Sequence, residues 1–165
     1  MSSFAASNRP DGVSEITLPE PADAANCPQY ACSYEEATMT GQVDFDDCFS
    51  AGYGSTKKGS NRYSGQLQQV PVKKPDSAGC CDVMLDSLKT GTDTSLSGTV
   101  ARKGSPSVCF DAQSPATCSG DFGSPIYCKT TTTDEVVLVG MTTSSPCSPG
   151  NPFLSVDLTK GALRA

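Results

Sequence analysis

Three observations predict a mainly β chain that closes into a six-stranded barrel. Gly, Pro, Ser and Thr are spread along all 165 residues, aromatics are sparse and Trp is absent, a composition that suits short strands joined by many turns. From about residue 41 onward, short stretches with β-branched enrichment or partial alternation follow one another, separated by turn signals. Nine cysteines sit at wide, irregular spacings (27, 32, 48, 80, 81, 109, 118, 128, 147) with no CxxC knuckle. Such usage reads as disulfides made in an oxidising compartment rather than as a zinc site. The odd count leaves one thiol free or bonded to another chain.

Residues 1–40 are rich in Pro, Ala, Asn and Glu and lack sustained periodicity. ITLPEPADAANCPQYAC reads as a connector on a surface, pinned by Cys27 and Cys32, so this part is an extended N-terminal arm. The barrel domain is expected over 41–165, and two domains are not expected at this length. Its strand candidates are, in order, DDCFSAGYG, SGQLQQVPVKK with Leu67, Val70 and Val72, CDVMLDSL, GTVARKG, SVCF, SPIYC, EVVLVGMTT and PFLSVDL. That supply is enough to close a six-stranded barrel and leave irregular extra segments. KTTTTDE, Lys129 to Glu135, reads as a polar hairpin loop, and no Asn-x-Ser/Thr acceptor occurs.

Charge narrows the partners. The net charge is −6 and no basic run exists, which argues against nucleic acid and anionic membrane. The doublets Lys57-Lys58 and Lys73-Lys74 read as solvated surface. No segment approaches the roughly 20 apolar residues that span a bilayer. MSSFAASNRPDG has neither a basic n-region nor an apolar h-region. Set beside the cysteines, this predicts a mature or processed piece of a secreted protein. The acidic cluster Asp44 to Asp47 reads as a solvated turn rather than a calcium loop. Cys27-x4-Cys32 lacks the histidines that would help complete a metal site. Cys80-Cys81 reads as one structural cysteine beside a spare or intermolecular one. Neither a metal nor a cofactor is expected.

The stretch CSGDFGSPIYC, Cys118 to Cys128, carries chemistry by its resemblance. Gly120, Asp121, Gly123 and Pro125 resemble the Gly-Asp-Ser-Gly-Gly-Pro turn of chymotrypsin-like serine proteases. CFSAGYGSTKKGSNRYSGQLQQVPV, Cys48 to Val72, is similar to that family's Cys-x-x-(Ala/Ser)-Gly-(Trp/Tyr)-Gly stretch with its Gly/Ser-rich loop and following strand. VLVGMTTSSPCSPGNPFLSVDL, Val137 to Leu158, is similar to the closing strands with their cysteine loop. Order and spacing agree over 41–158, which corresponds to the C-terminal half of the family's fold, a six-stranded antiparallel barrel.

The resemblance implies disulfides between Cys48 and Cys128, between Cys118 and Cys147, and between Cys109 and either Cys81 or Cys80. Cys27, Cys32 and the remaining member of the 80/81 pair stay unassigned, for a local or an intermolecular bond. It also implies a lost activity. Acyl transfer needs a serine, an imidazole and an orienting carboxylate, yet Phe122 matches the serine and the chain contains no histidine. Ser124 lies two residues past the turn with no base to activate it. The N–H groups of Gly120 and Phe122 would remain as a donor pair without a nucleophile. Ala116 matches a position in the family's substrate pocket, and Phe153, where a glycine is usual, is expected to fill part of it. Asp121, which pairs with a new N-terminus in active members, has to find backbone donors, another cation or water.

The function expected is therefore non-catalytic: a structural or accessory subunit in a larger extracellular or envelope-like assembly. A protein partner would cover the barrel face on which the family's other barrel packs. A free-standing binding module or decoy that engages a protease or its partner is the rival, and an enzyme half completed by another chain is disfavoured by Phe122.

Overall fold

The computed structural model describes residues 5–8, 14–17, 32–34, 41–57, 60, 62–75, 107–112, 117–133, 135–143, 147 and 152–160. Nine strands lie among them: β1 (Ala5–Asn8), β2 (Ser14–Thr17), β3 (Cys32–Ser33), β4 (Val43–Gly52), β5 (Gln68–Lys73), β6 (Ser107–Ala112), β7 (Pro125–Thr130), β8 (Val136–Thr142) and β9 (Pro152–Asp157). Strands β4 to β9 form the barrel in the order β8-β7-β4-β5-β6-β9, and a β8–β9 pairing closes it. All six of these pairings are antiparallel. The sequence candidates CDVMLDSL and GTVARKG lie outside the described residues.

Alternation places the core. Along β5, Val70 and Val72 are buried while Gln69 and Pro71 face out, the period of two that a half-buried strand requires. Pro71 cannot donate to a ladder. β5 tolerates it because its β6 pairing is confined to Val72 and Lys73. Inside the barrel, Phe110 of β6 faces Phe153 of β9 in register, their ring centroids 6.2 Å apart and both fully buried. Val70, Val72, Ile126, Val137 and Val139 are among the residues that join them in that core. On the outer face of β8 and β9, Leu138 and Met141 pack with Val156 and Leu158. Leu158 belongs to the short 3-10 turn Leu158–Lys160. Phe153→Leu keeps the core apolar but removes volume, and is expected to cost about 1 kcal/mol, read as a lower urea midpoint at unchanged slope.

Between Asp44 and Cys48 the register of β4 against β7 slips, and the irregularity lets Asp47 reach Lys129 at 2.6 Å. Both side chains of that pair are largely exposed, so it contributes little. The acidic cluster is thus a bulge, with Asp44 Oδ1 accepting from the N–H of Asp46 at 2.9 Å. Lys74 lies 5.1 Å from the centroid of the Phe45 ring, as a cation over a π-face.

The arm carries strands that the sequence did not suggest. β1 and β2 make an antiparallel hairpin, and β3 adds in parallel to the start of β8, Cys32 opposite Val137. Among the described residues no helix is long and apolar enough to cross a membrane.

Candidate functional site

The segment between Thr117 and Pro125 is a compact turn held by its own main chain. Asp121 N–H donates to the carbonyl of Cys118 at 3.0 Å, and Ser124 N–H to that of Asp121 at 3.0 Å. Gly123 N–H reaches the carbonyl of Thr142 at 2.7 Å, and Thr142 N–H returns to that of Ser124 at 2.9 Å, which docks the turn on the end of β8. Gly120 (φ 96°) and Gly123 (φ 79°) occupy left-handed backbone, where a side chain would be strained. Phe122, between them, is 42% exposed.

Two disulfides frame the turn. Cys118 is joined to Cys147 across 29 residues, and the N–H of Cys147 donates to the Thr117 carbonyl at 3.0 Å. Cys48 is joined to Cys128 across 80 residues, the two being direct neighbours in the β4–β7 register. Cys109 is also disulfide-bonded; Cys80 and Cys81 lie outside the described residues. Cys27 and Ala116 lie outside them too.

Asp121 is the buried charge of the site, 8% exposed. Its Oδ1 accepts from the N–H of Gly54 at 2.9 Å and its Oδ2 from the N–H of Cys118 at 2.8 Å. Among the described residues no cation pairs with it. The carboxylate is wedged against the end of β4: a Cβ on Gly54 would overlap its Cγ and both oxygens, and one on Gly52 would overlap Oδ1 and the Ser124 hydroxyl. Of the partners open to Asp121, the backbone donors are the ones it takes, and charge-assisted bonds of this kind are the strong ones. Ser55 N–H adds a bond of 2.8 Å to the carbonyl of Ser119, tying the loop after β4 to the turn. The Tyr63 ring closes the same loop over Gly120, at the place where a side chain on that glycine would lie.

Two concavities flank the turn. Beneath it is a cavity of about 240 Å³ lined by Ser50, Gly52, Gly54, Thr117 and Asp121 among others. Thr117 is 1% exposed, and its hydroxyl has no hydrogen-bond partner among the described residues. Beside the turn, between β4, β5 and the start of β7, runs an open groove of about 760 Å³. Phe49, Tyr53, Leu67, Phe122 and Tyr127 line it. Phe49 and Tyr127 are register partners with ring centroids 5.4 Å apart, while Tyr53 is 57% and Leu67 59% exposed. Phe153 lines neither concavity. It belongs to the barrel core.

Sequence reasoning singled out Gly120, Asp121, Phe122 and Gly123, which the structure places together in the turn. It missed Tyr53, Leu67, Tyr63 and the Gly52–Gly54 cradle. The Ala-Gly-Tyr-Gly run at 51–54 was their signal in the sequence, because it pairs two glycines with an aromatic.

Residues 13–159 match the family model described as Trypsin. The chain belongs to the trypsin family. Its match begins inside the stretch assigned to the arm, so β2 and β3 fall within the trypsin-family region. Over 114 residues it is 31% identical to Granzyme A of Bos taurus, an alignment covering 68% of this chain and 38% of that relative. The chain thus spans well under half the length of the curated relative it matches. Disulfides on a trypsin-family domain fit an oxidising or extracellular compartment. In this trypsin-family member the tip of the turn carries an exposed phenyl ring, which has no atom that can be acylated.

Proposed function

We propose that this trypsin-family chain is non-catalytic and acts as a structural or accessory subunit of a secreted assembly, holding a protein partner against the groove around Phe122. Phe122 carries this reading. The turn that would present a nucleophile is fully formed, pinned to β8 and to the loop after β4, and offers a benzyl side chain at 42% exposure. A large apolar side chain displayed on a rigid turn is costly to leave in water and well suited to anchoring a partner. The neighbouring Tyr53, Leu67 and Tyr127 extend the same apolar surface.

Two measurements test it. On incubation with a fluorophosphonate probe the parent chain is expected to stay unlabelled, as read by intact mass; a covalent adduct on the parent would overturn the non-catalytic reading. Light scattering of the protein from its natural source, with and without reductant, is expected to give a mass well above that of its own single polypeptide, measured by mass spectrometry of the reduced, denatured protein. A monomer under both conditions would remove the assembly and leave a free-standing binding module.

A further inference from the structure

The shape and chemistry of the groove beside Phe122 restrict what fills it. It is concave, and two copies of one concavity leave each other unfilled, so a face-to-face pair of this chain is a poor occupant. Among the described residues no charged side chain lines it, although the chain carries 12 basic and 18 acidic residues. A charge buried there would lack a counter-ion and cost several kcal/mol. The complementary occupant is therefore uncharged where it touches.

The groove's free polar groups narrow the choice again. The N–H groups of Gly120 and Phe122, both at its rim, donate to no acceptor among the described residues. The occupant should present carbonyls to them. The rest of the lining is dominated by the aromatic faces of Phe49, Tyr53, Phe122 and Tyr127 and the side chain of Leu67. An extended proline-rich backbone has these properties together. It shows carbonyls, has few N–H groups to leave unpaired, is already ordered before binding, and packs its rings on aromatic surfaces.

We propose that the groove binds an extended, uncharged, proline-rich segment of a partner protein, an assignment that rests on the partner-binding reading above and names its ligand. Selection of a displayed library of random peptides of about ten residues, roughly 30 Å long as polyproline, on the immobilised full chain tests it. Recovered peptides are expected to be enriched in proline at a three-residue spacing and depleted in Asp, Glu, Lys and Arg. One of them, synthesised, is expected to bind Phe122→Ala and Tyr53→Ala at least about tenfold more weakly and Thr132→Ala, in the β7–β8 hairpin, as tightly as the parent. These three positions are exposed, and unchanged thermal midpoints confirm folded variants. Failure to recover binders, recovery without proline enrichment, or binding indifferent to Phe122 and Tyr53 would each overturn the assignment. The phosphonate result is independent: an unlabelled parent with a failed selection removes only the ligand, whereas a labelled parent removes the non-catalytic reading itself.

Discussion

Gly54→Ala is expected to lower the thermal midpoint by about 10 °C, through a clash with the carboxylate of Asp121. The added methyl would stand where Cγ, Oδ1 and Oδ2 now lie, and Gly54 is itself buried. Either β4 shifts, against a barrel closed on both sides of it, or Asp121 leaves. If it leaves, the N–H groups of Gly54 and Cys118 lose their acceptors, at about 1–3 kcal/mol for each buried group left unpaired. If it stays, overpacking costs about 1–3 kcal/mol instead. The loss if Asp121 leaves, about 3–5 kcal/mol for the two groups together, is a large part of the 5–15 kcal/mol that a domain has, and about 2–4 °C of midpoint attaches to each kcal/mol at this size. Circular dichroism melts check it, with Asp121→Ala as companion. The double variant should melt well above the additive expectation, because the alanine methyl then enters space the carboxylate has vacated. A Gly54→Ala protein that melts within about 2 °C of the parent would remove the wedge as a cause of stability.

Replacing Cys48 and Cys128 together by Ala is expected to cost about 4–5 kcal/mol, more than the roughly 3–4 kcal/mol for the Cys118 and Cys147 pair. The order follows from chain entropy, since the first bond closes 80 residues and the second 29. The first also joins two strands at a directly opposed position, so its loss unfastens β4 from β7 next to the bulge. Urea titrations of both double variants under non-reducing conditions measure the difference. If the Cys118–Cys147 variant proves the less stable, loop length does not govern these bonds, and the tie between the turn and the end of β8 does.

The barrel was legible in the sequence because its strands alternate or carry β-branched runs. SVCF and EVVLVGMTT became β6 and β8, and PFLSVDL became β9 with the first residue of the 3-10 turn. The hairpin of β1 and β2 was not legible. Ala-Ala-Ser-Asn and Ser-Glu-Ile-Thr have little β-propensity apart from Ile16 and Thr17, and pairing rather than pattern defines them. β3, two residues long, exists only through its parallel contact with β8. At the site, Asp121 and Phe122 were visible because a turn motif surrounds them. The partner of Asp121 was not, since Gly54 lies 67 positions away and a glycine that acts by lacking a side chain leaves no chemical mark. Phe153, expected in a pocket, is in the core because β9 is buried along almost its whole length, and the partner it faces, Phe110, lies on a strand of no obvious relation in sequence.

The strand order has a consequence for how the chain is made. β4 is flanked by β5 and by β7, whose first residue is Pro125, and the ring closes only when β9, ending at Asp157, reaches both β6 and β8. At about 5–20 residues per second of synthesis, β4 and β5 spend several seconds outside the ribosome with half their partners unwritten. Their apolar faces have no native place to go during that interval, and neither Cys48 nor Cys118 has yet met its mate. Closure is therefore a late, cooperative event, and the oxidant or chaperone that handles the nascent chain meets an open sheet with unmatched thiols.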